Sequence, residues 1–276
     1  MTDKRVAVVT GASRGVGKGV AIALGEAGMV VYCTGRSLDT PTYEHLGGTV
    51  RETAALVTEA GGEGVAVGCD HTDDVAVRAL FQRVRDERGR VDVLVNNVWG
   101  GYSAYHEDRF LDIDGPFWES PLSVWDDMFA AGVRAHYVAS VLAVPLMGPG
   151  GLIVTVSFFP GSVVGDHAVT YSVAKAADDR LIAIMARKLA DRGVSAVSLY
   201  PGLVRTEGVL RAGDFFDLSN SESPVFVGRA VAGLAVDPEL ASLSGTTVVA
   251  AELAERYGFT DVDGRRPRSL RDEFGA

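Results

Sequence analysis

Short apolar runs alternate along the chain with longer stretches of helical periodicity. The runs are rich in β-branched residues and predict strands over Val6–Thr10, Met29–Thr34, Gly64–Gly68, Val91–Val95, Leu152–Val156, Ser195–Leu199 and Thr246–Ala250. Their apolar character is nearly continuous, which is typical of parallel strands covered on both faces. The pattern therefore predicts a single-domain α/β fold, a Rossmann-like, doubly wound, parallel seven-stranded sheet flanked by helices. No linker or internal repeat divides the chain.

Composition supports a folded core and limits the classes of partner. Of the 276 residues, 47% are hydrophobic and 22% are charged, which supplies enough apolar surface for one large domain. The formal net charge of -10 disfavours nucleic acid as a partner. The two cysteines, Cys33 and Cys69, exclude a disulfide framework and leave a metal site without enough ligands. We expect both to be buried thiols.

Neither end of the sequence suggests export or a membrane. The first residues enter a predicted strand without the apolar segment of a signal peptide. No apolar stretch approaches the roughly 18 uncharged residues that a membrane span needs. The sequence therefore predicts a cytoplasmic protein without a membrane partner.

A glycine-rich turn links the first predicted strand to the first helix. It covers residues 10–17 and consists of Thr10, Gly11, Ala12, Ser13, Arg14, Gly15, Val16 and Gly17. Such a turn lets backbone N–H groups approach a pyrophosphate, and the helix N-terminus adds partial positive charge. The turn thus predicts a dinucleotide site, although a glycine pattern alone is weak evidence.

A second motif belongs with that turn. Tyr171 precedes Lys175 by four residues, so both side chains lie on one face of a predicted helix. We expect the ammonium of Lys175 to lower the pKa of the Tyr171 phenol by favouring the phenolate. Together the two motifs resemble those of the short-chain dehydrogenase/reductase family, and the resemblance extends from Val6 to about Pro267.

The resemblance implies a nicotinamide cofactor, and two arginines favour NADP(H). NAD-specific relatives place an acidic residue where Thr34-Gly35-Arg36-Ser37 stands, whereas Arg36 and Arg14 can bind an additional phosphate. The Asp70 carboxylate is expected to bind the adenine amino group, to cap the next helix, or to do both. The implied cofactor-binding residues are Gly11, Ser13, Arg14, Gly15, Val16, Gly17, Arg36, Ser37, Asp70, Asn96, Asn97, Tyr171, Lys175, Pro201, Gly202, Val204 and Thr206.

The resemblance also implies the catalytic residues. Tyr171 would donate a proton to the substrate, and Lys175 would bind the nicotinamide ribose and restore that proton. A serine normally assists, and Ser157 and Ser162 precede Tyr171 by 14 and 9 residues. We favour Ser157 because it follows a strand, at the sheet edge where open α/β folds bind ligands. The Asn that relays protons in this family is replaced by Gly132.

Three segments are expected to shape the substrate site. They are an aromatic insertion at 99–120, a substrate lid at about 207–223 and an extended C-terminal segment at 252–276, which is polar. A long loop in a compact domain is usually functional. We expect a bulky apolar substrate because aromatic residues border the predicted nicotinamide end, namely Trp99, Tyr102, Phe158, Phe159, Phe215 and Phe216.

Several short motifs look like one subgroup, dehydrogenase/reductase family member one. They include Phe117-Trp118-Glu119 and the segment from Gly132 to Tyr137. The resemblance implies reduction of a small-molecule ketone or aldehyde to an alcohol with NADPH. The alternative is a non-catalytic NADP(H)-binding sensor or regulatory protein, because the relay Asn is missing and the serine region is altered. Family resemblance also implies a homodimer or homotetramer.

Overall fold

Seven parallel strands form the central sheet in the computed structural model, which describes residues 4–106, 109–110, 116–165 and 167–275. With two further strands that form a separate hairpin, the strands of the described residues are β1 (Val6–Thr10), β2 (Val30–Gly35), β3 (Glu63–Gly68), β4 (Val93–Asn96), β5 (Tyr105–His106), β6 (Arg109–Phe110), β7 (Leu152–Val156), β8 (Ser195–Tyr200) and β9 (Thr247–Val249). The sheet order is β3-β2-β1-β4-β7-β8-β9, and β5 pairs with β6 in an antiparallel hairpin. This architecture confirms the predicted Rossmann-like fold.

Helices cover both faces of the sheet. They are α1 (Gly15–Glu26), α2 (Val50–Glu59), α3 (Asp74–Arg88), α4 (Leu122–Met128), α5 (Ala135–Ala143), α6 (Val169–Leu189), α7 (Glu207–Arg211), α8 (Pro224–Val236), α9 (Leu240–Leu243), α10 (Ala250–Tyr257) and α11 (Arg271–Phe274). Alternate residues of β1 point into two separate cores: Ala7 and Val9 into one, Val6 and Val8 into the other. Burial on both faces explains the continuous apolar character of the strands.

The segment from Pro121 to Met147, predicted as one helix, is interrupted by a π-helical turn. This turn spans Phe129–Arg134, between α4 and α5, and it contains Gly132. A Cβ atom added at Gly132 would meet nothing within 4 Å outside its own helix. Close packing therefore does not explain the glycine. Single π-helical turns occur frequently at functional sites.

One helical run among the described residues, Leu122–Leu146, is long and apolar enough to cross a membrane by length and composition. The expectation that no such stretch exists is therefore wrong. The run meets the criteria because it holds few charged residues, and these lie near its start. Asp126 and Asp127 lie in α4, and Arg134 is the only Asp, Glu, Lys or Arg between them and Leu146. The buried core helix of a soluble protein meets the same criteria, so the run is weak evidence for a span.

The C-terminal segment, expected to be polar, contributes apolar side chains to the core. Leu270 and Phe274 pack onto a buried cluster that contains Phe159 and Tyr200. The rings of Phe274 and Phe159 are stacked, with centroids 4.8 Å apart. The two apolar residues are isolated among polar ones in the sequence, which is why their pattern predicted no packed element.

Candidate active site

A cleft with a volume of about 330 Å³ opens at the carboxyl end of the parallel strands. This is the edge at which open α/β sheets bind ligands. Its walls come from the loops that follow β1, β2, β3, β4, β7 and β8. The predicted site residues that line it are Gly11, Ser13, Arg14, Val16, Arg36, Ser37, Asp70, Asn97, Ser157, Tyr171, Lys175, Pro201, Gly202, Val204 and Thr206. Gly15, Gly17 and Asn96 lie outside this lining.

The glycine turn presents a backbone amide to a negatively charged oxygen. Gly11 and Gly15 have φ angles of 68° and 54°, which favour glycine. The Gly15 amide donates a hydrogen bond of 2.8 Å to Oε2 of Glu207, the first residue of α7. This carboxylate lies at the α1 N-terminus, where a phosphate group would be stabilised by the same interactions. The turn therefore fits the pyrophosphate of a dinucleotide.

Gly17 serves the packing of the turn. A Cβ atom at this position would lie 2.3 Å from the Gly11 carbonyl oxygen and 2.4 Å from Asn97 Nδ2. Asn97 Nδ2 donates to the carbonyl oxygens of Thr10 and Gly11, at 3.2 and 3.1 Å. Any larger residue at position 17 would displace this contact, so Gly17 and Asn97 together hold the shape of the turn.

Asn96 is fully buried beneath the cleft. Its Nδ2 donates to the Ser140 hydroxyl on α5 at 3.1 Å and to the Thr155 hydroxyl on β7 at 3.4 Å. Asn96 thus connects its own strand, β4, to the neighbouring strand and to a helix. It belongs to the support of the site, whereas Asn97 belongs to its wall.

The two arginines at the adenosine end lie in different environments. Arg14 is buried, donates to the Ser37 hydroxyl at 3.2 Å, and lies 5.8 Å from the ring centroids of Tyr43 and Tyr102. Arg36 is exposed at the rim of the cleft. A buried guanidinium beside a hydroxyl can bind an anionic group strongly, because little water competes with the contact.

Asp70 forms its hydrogen bonds within its own turn. Its Oδ1 accepts from the backbone amide and the hydroxyl of Thr72, at 2.9 and 2.7 Å. Burial by itself raises the pKa of Asp70, but these bonds and the charge of Arg36 lower it overall. The cap of α3 is Asp73, which accepts from the Val75 amide at 2.8 Å. The alternative in which Asp70 caps the helix is therefore wrong.

Tyr171 and Lys175 face the cleft from the first two turns of α6. Lys175 Nζ donates to the Val156 carbonyl oxygen at 2.8 Å and lies 5.8 Å from the Tyr171 ring centroid. Burial, and then the charge of Asp178, raise the pKa of the Tyr171 phenol above its usual value. We expected Lys175 to lower this pKa, and that expectation is wrong. Removal from water outweighs an ammonium at this distance.

The structure separates the two candidate serines. Ser157 follows β7, lines the cleft, and donates to the Lys175 carbonyl oxygen at 3.4 Å. Ser162 donates to the Phe159 carbonyl oxygen at 3.1 Å, within its own turn, and does not line the cleft. Only Ser157 shares the cleft with Tyr171 and Lys175.

The predicted aromatic border is only partly present. Trp99 and Phe158 line the cleft, and the Trp99 ring lies 6.3 Å from that of Tyr171. Tyr102 also lines it, beside Arg14. Phe159 is fully buried in the core, Phe215 is 77% exposed, and Phe216 also lies outside the lining. Tyr105, His106 and Phe110 belong to the insertion, but their side chains lie outside the described residues.

Two residues that the sequence analysis missed adjoin the catalytic group. His136 on α5 contacts Asp178 on α6, and Asp178 lies 3.7 Å from Lys175 Nζ. The spacing held a signal for one of them, since Asp178 is three residues after Lys175 and therefore faces the same side of the helix. No local pattern connects His136 to α6, because the contact joins residues 42 positions apart.

Comparisons with known proteins identify the family. The sequence model of the short chain dehydrogenase family matches residues 5–213. The chain is 44% and 43% identical to the mouse and human proteins named dehydrogenase/reductase SDR family member 1, over 95% of this chain and 84% of each relative. The crystal structure of a short chain dehydrogenase from Burkholderia cenocepacia in complex with NADP is similar, with a TM-score of 0.73 and 28% identity, over 90% of this chain and 96% of that one.

Proposed function

The chain belongs to the short-chain dehydrogenase family, and from this premise we propose that it is an NADP(H)-dependent oxidoreductase that reduces a ketone or aldehyde to an alcohol. One observation carries the proposal: Tyr171, Lys175 and Ser157 line the same cleft as the glycine turn and the two arginines. The cleft therefore combines groups that could transfer a proton with groups that could bind an anionic ligand.

The choice of NADP(H) is supported by the adenosine end of the cleft. Arg14, Ser37 and Arg36 would hold the additional phosphate, and the end of β2 carries no carboxylate that would repel it. The Gly15 amide, which now binds the Glu207 carboxylate, would bind the pyrophosphate. The loop residues Val204 and Thr206 also line the cleft and would bind the nicotinamide part of the cofactor. When bound, NADPH supplies the hydride.

In the reducing direction, Tyr171 would act as the proton donor. A phenol that retains its proton at neutral pH can act as a general acid toward the alkoxide, which is the stronger base. The Ser157 hydroxyl would donate to the substrate carbonyl oxygen and stabilise the negative charge that develops there. Lys175, fixed by the Val156 carbonyl oxygen, would return a proton to Tyr171.

A bulky apolar substrate is supported by Trp99 and Phe158, which flank the catalytic residues. Apolar walls with a few convergent polar groups are typical of small-molecule sites. Catalytic efficiency should therefore be higher for large ketones than for acetone-sized ones. The insertion that would complete the wall lies partly outside the described residues.

The test compares three variants in a panel of ketones, aldehydes and diones, with NADPH consumption as the readout. We expect Tyr171→Phe to abolish turnover and Ser157→Ala to lower kcat by roughly 100-fold or more, the effect of losing one oxyanion donor. NADPH binding, measured by fluorescence, should persist in both variants. Ser162→Ala is the matched control and should retain activity, because Ser162 does not line the cleft.

Two outcomes would contradict the proposal in different ways. Loss of activity in Ser162→Ala with full activity in Ser157→Ala would reverse the assignment of the serine. Tight NADPH binding without consumption for any carbonyl compound would favour the non-catalytic NADP(H)-binding sensor, for which Gly132 in place of the relay Asn is the supporting observation.

A further inference from the structure

A histidine and an aspartate form a buried pair behind Lys175. His136 and Asp178 are 1% and 2% exposed. The Nδ1 atom of His136 lies 2.8 Å from Oδ1 of Asp178, and its Nε2 atom lies 3.1 Å from the Val98 carbonyl oxygen. Both ring nitrogens therefore face an oxygen in the protein interior.

The identity of these two oxygens determines where protons lie. A backbone carbonyl oxygen can only accept a hydrogen bond, so the Nε2 atom of His136 must carry a proton. An ionised carboxylate can also only accept, so Nδ1 must carry a second proton if Asp178 is charged. A neutral imidazole with an ionised Asp178 would place two lone pairs against each other. The pair must therefore hold one proton more than a neutral imidazole with an ionised carboxylate would.

The second carboxylate oxygen of Asp178 indicates which partner holds that proton. Its Oδ2 lies 3.7 Å from Lys175 Nζ, which places a positive charge beside the carboxylate. Burial by itself raises the pKa of Asp178, but His136 and Lys175 outweigh it and lower the pKa overall. An ionised Asp178 between two cations is thus favoured over a neutral carboxylic acid. The imidazole is then an imidazolium.

Other titratable groups face this arrangement from neighbouring elements. They are His71 in the turn after β3, together with Tyr171 and Asp179 on α6. Burial, and then the charge of His136, lower the pKa of His71 to about 4, so His71 is neutral near pH 7. It adds no charge that would replace the imidazolium.

We propose that His136 and Asp178 form a buried imidazolium–carboxylate pair that positions Lys175 and keeps it protonated for the return of the proton to Tyr171. Oδ2 of the carboxylate faces Lys175 and Oδ1 faces the imidazolium, so the pair stabilises the ammonium. Gly132 offers no side chain for this purpose. The role in proton return rests on the proposed function, whereas the protonation state of the pair does not.

The protonation state is measured on the unmodified protein by ¹⁵N NMR of the histidine side chains. We expect both ring nitrogens of His136 to be protonated at pH 7, with His136→Gln used to assign its signals. The titration of Lys175 is followed in the same samples through its side-chain resonances. A ring nitrogen of His136 without a proton at pH 7 would overturn the proposal, whatever the activity of the enzyme.

Two substitutions should move the titration of Lys175 in opposite directions. Asp178→Asn removes the neighbouring negative charge and should move the titration of Lys175 to lower pH. His136→Gln can still donate to the Val98 carbonyl oxygen but leaves the carboxylate uncompensated, so it should move the titration of Lys175 to higher pH. If the pair had a purely structural role, the titration of Lys175 would move in the same direction in both variants or would not move in either.

The pH dependence of kcat provides the kinetic readout. The alkaline limb should move to lower pH in Asp178→Asn and to higher pH in His136→Gln. Asp237→Asn is the matched control, because that carboxylate is also paired, with Arg256 and Tyr257, but lies outside the cleft. An active enzyme whose limb is unchanged in both variants refutes the positioning role. If the unmodified protein is inactive but shows the expected protonation of His136 and the expected changes in the titration of Lys175, only the proposed function is refuted.

Discussion

At the scale of single residues, the environment of each arginine determines its contribution. The Arg14 guanidinium is fixed before any ligand binds, because the Ser37 hydroxyl and two tyrosine rings contact it. Arg36 is exposed, so its side chain must be ordered when a ligand binds. Preorganised charge loses less side-chain entropy on binding, so the two residues should differ in effect although they carry the same charge.

This difference leads to a prediction about cofactor choice. Arg36→Ala should weaken NADPH binding about 10-fold, the scale of losing one charged hydrogen-bonding partner, and should leave NADH binding nearly unchanged. Arg14→Ala should weaken NADPH binding further. The dissociation constants can be measured by cofactor fluorescence, with Arg83→Ala on the remote helix α3 as a control. Equal affinities of the unmodified protein for NADPH and NADH would refute the preference.

Glu222 is a buried carboxyl beneath the loop that follows β8. Burial raises its pKa from the usual 4.5 to about 8, although the Gly202 amide favours the charged form. Between these two values the folded protein retains a proton that the unfolded chain releases. The free energy of unfolding therefore decreases as the pH rises from about 4.5 to about 8, through this residue.

Glu222→Gln should remove that dependence. The variant keeps the shape of the side chain without its titration, so its stability relative to the unmodified protein should be greater at pH 8 than at pH 5. The expected gain is a few kcal/mol, at about 1.4 kcal/mol for each unit of pKa difference. Urea denaturation at both pH values measures it, with the exposed Glu255→Gln as a control. An equal effect at both pH values would contradict the assignment.

At the scale of elements, the C-terminal segment supports the substrate end of the cleft. Phe274 on α11 lies 5.5 Å from the ring of Phe158, which lines the cleft, and stacks on Phe159. Asp261 fixes the same segment to the loop after β8, since it accepts from Arg205 at 2.9 Å and from the Ser223 amide at 2.8 Å. The end of the chain is therefore coupled to the site without lining it.

Phe274→Ala should accordingly change substrate binding more than cofactor binding. Loss of the half-buried ring should destabilise the protein by about 1 to 3 kcal/mol, less than the loss of a fully buried phenylalanine. The KM for a bulky carbonyl compound should rise because Phe158 loses its support, while the NADPH affinity stays the same. Phe215→Ala, which removes a ring that is 77% exposed, should change neither quantity. Equal KM values for both variants would contradict the coupling.

At the scale of the whole molecule, apolar side chains remain exposed on adjacent helices. Leu122, Tyr137 and Val141 are 85%, 53% and 49% exposed along α4 and α5, and Val173 and Ile184 are 41% and 47% exposed on α6. Exposed apolar groups on one face are typical of protein interfaces. We propose that a second copy of the chain covers this face, in a homodimer or homotetramer.

Light scattering coupled to size exclusion measures the assembly. We expect two or four times the chain mass of 29.1 kDa. Val141→Glu should shift the protein toward the monomer, because it places a charge on the proposed interface. Val262→Glu alters a valine that is 59% exposed on the C-terminal segment, and should leave the mass unchanged. A monomeric unmodified protein would refute the assembly.

Local patterns in the sequence determined the fold. The predicted bounds of β1 and β7 match the structure, and the other sheet strands differ by one or two residues at one or both ends. The reason is that buried parallel strands need continuous apolar residues, and the sequence records that requirement directly. The glycine turn and the Tyr171–Lys175 spacing could be read in the same way, since each lies within one turn or helix. What the resemblance implied about their chemistry remains a prediction.

Only the tertiary structure decided which distant groups meet. Phe159 and Phe158 are adjacent in sequence, yet one is core and the other lines the cleft, because successive residues point in different directions from the chain. The raised pKa of Tyr171 depends on burial, and the His136–Asp178 pair depends on the packing of α5 against α6. Desolvation and charge act through space, so the distances between residues far apart in the chain set both, and no local pattern in the sequence contains those distances.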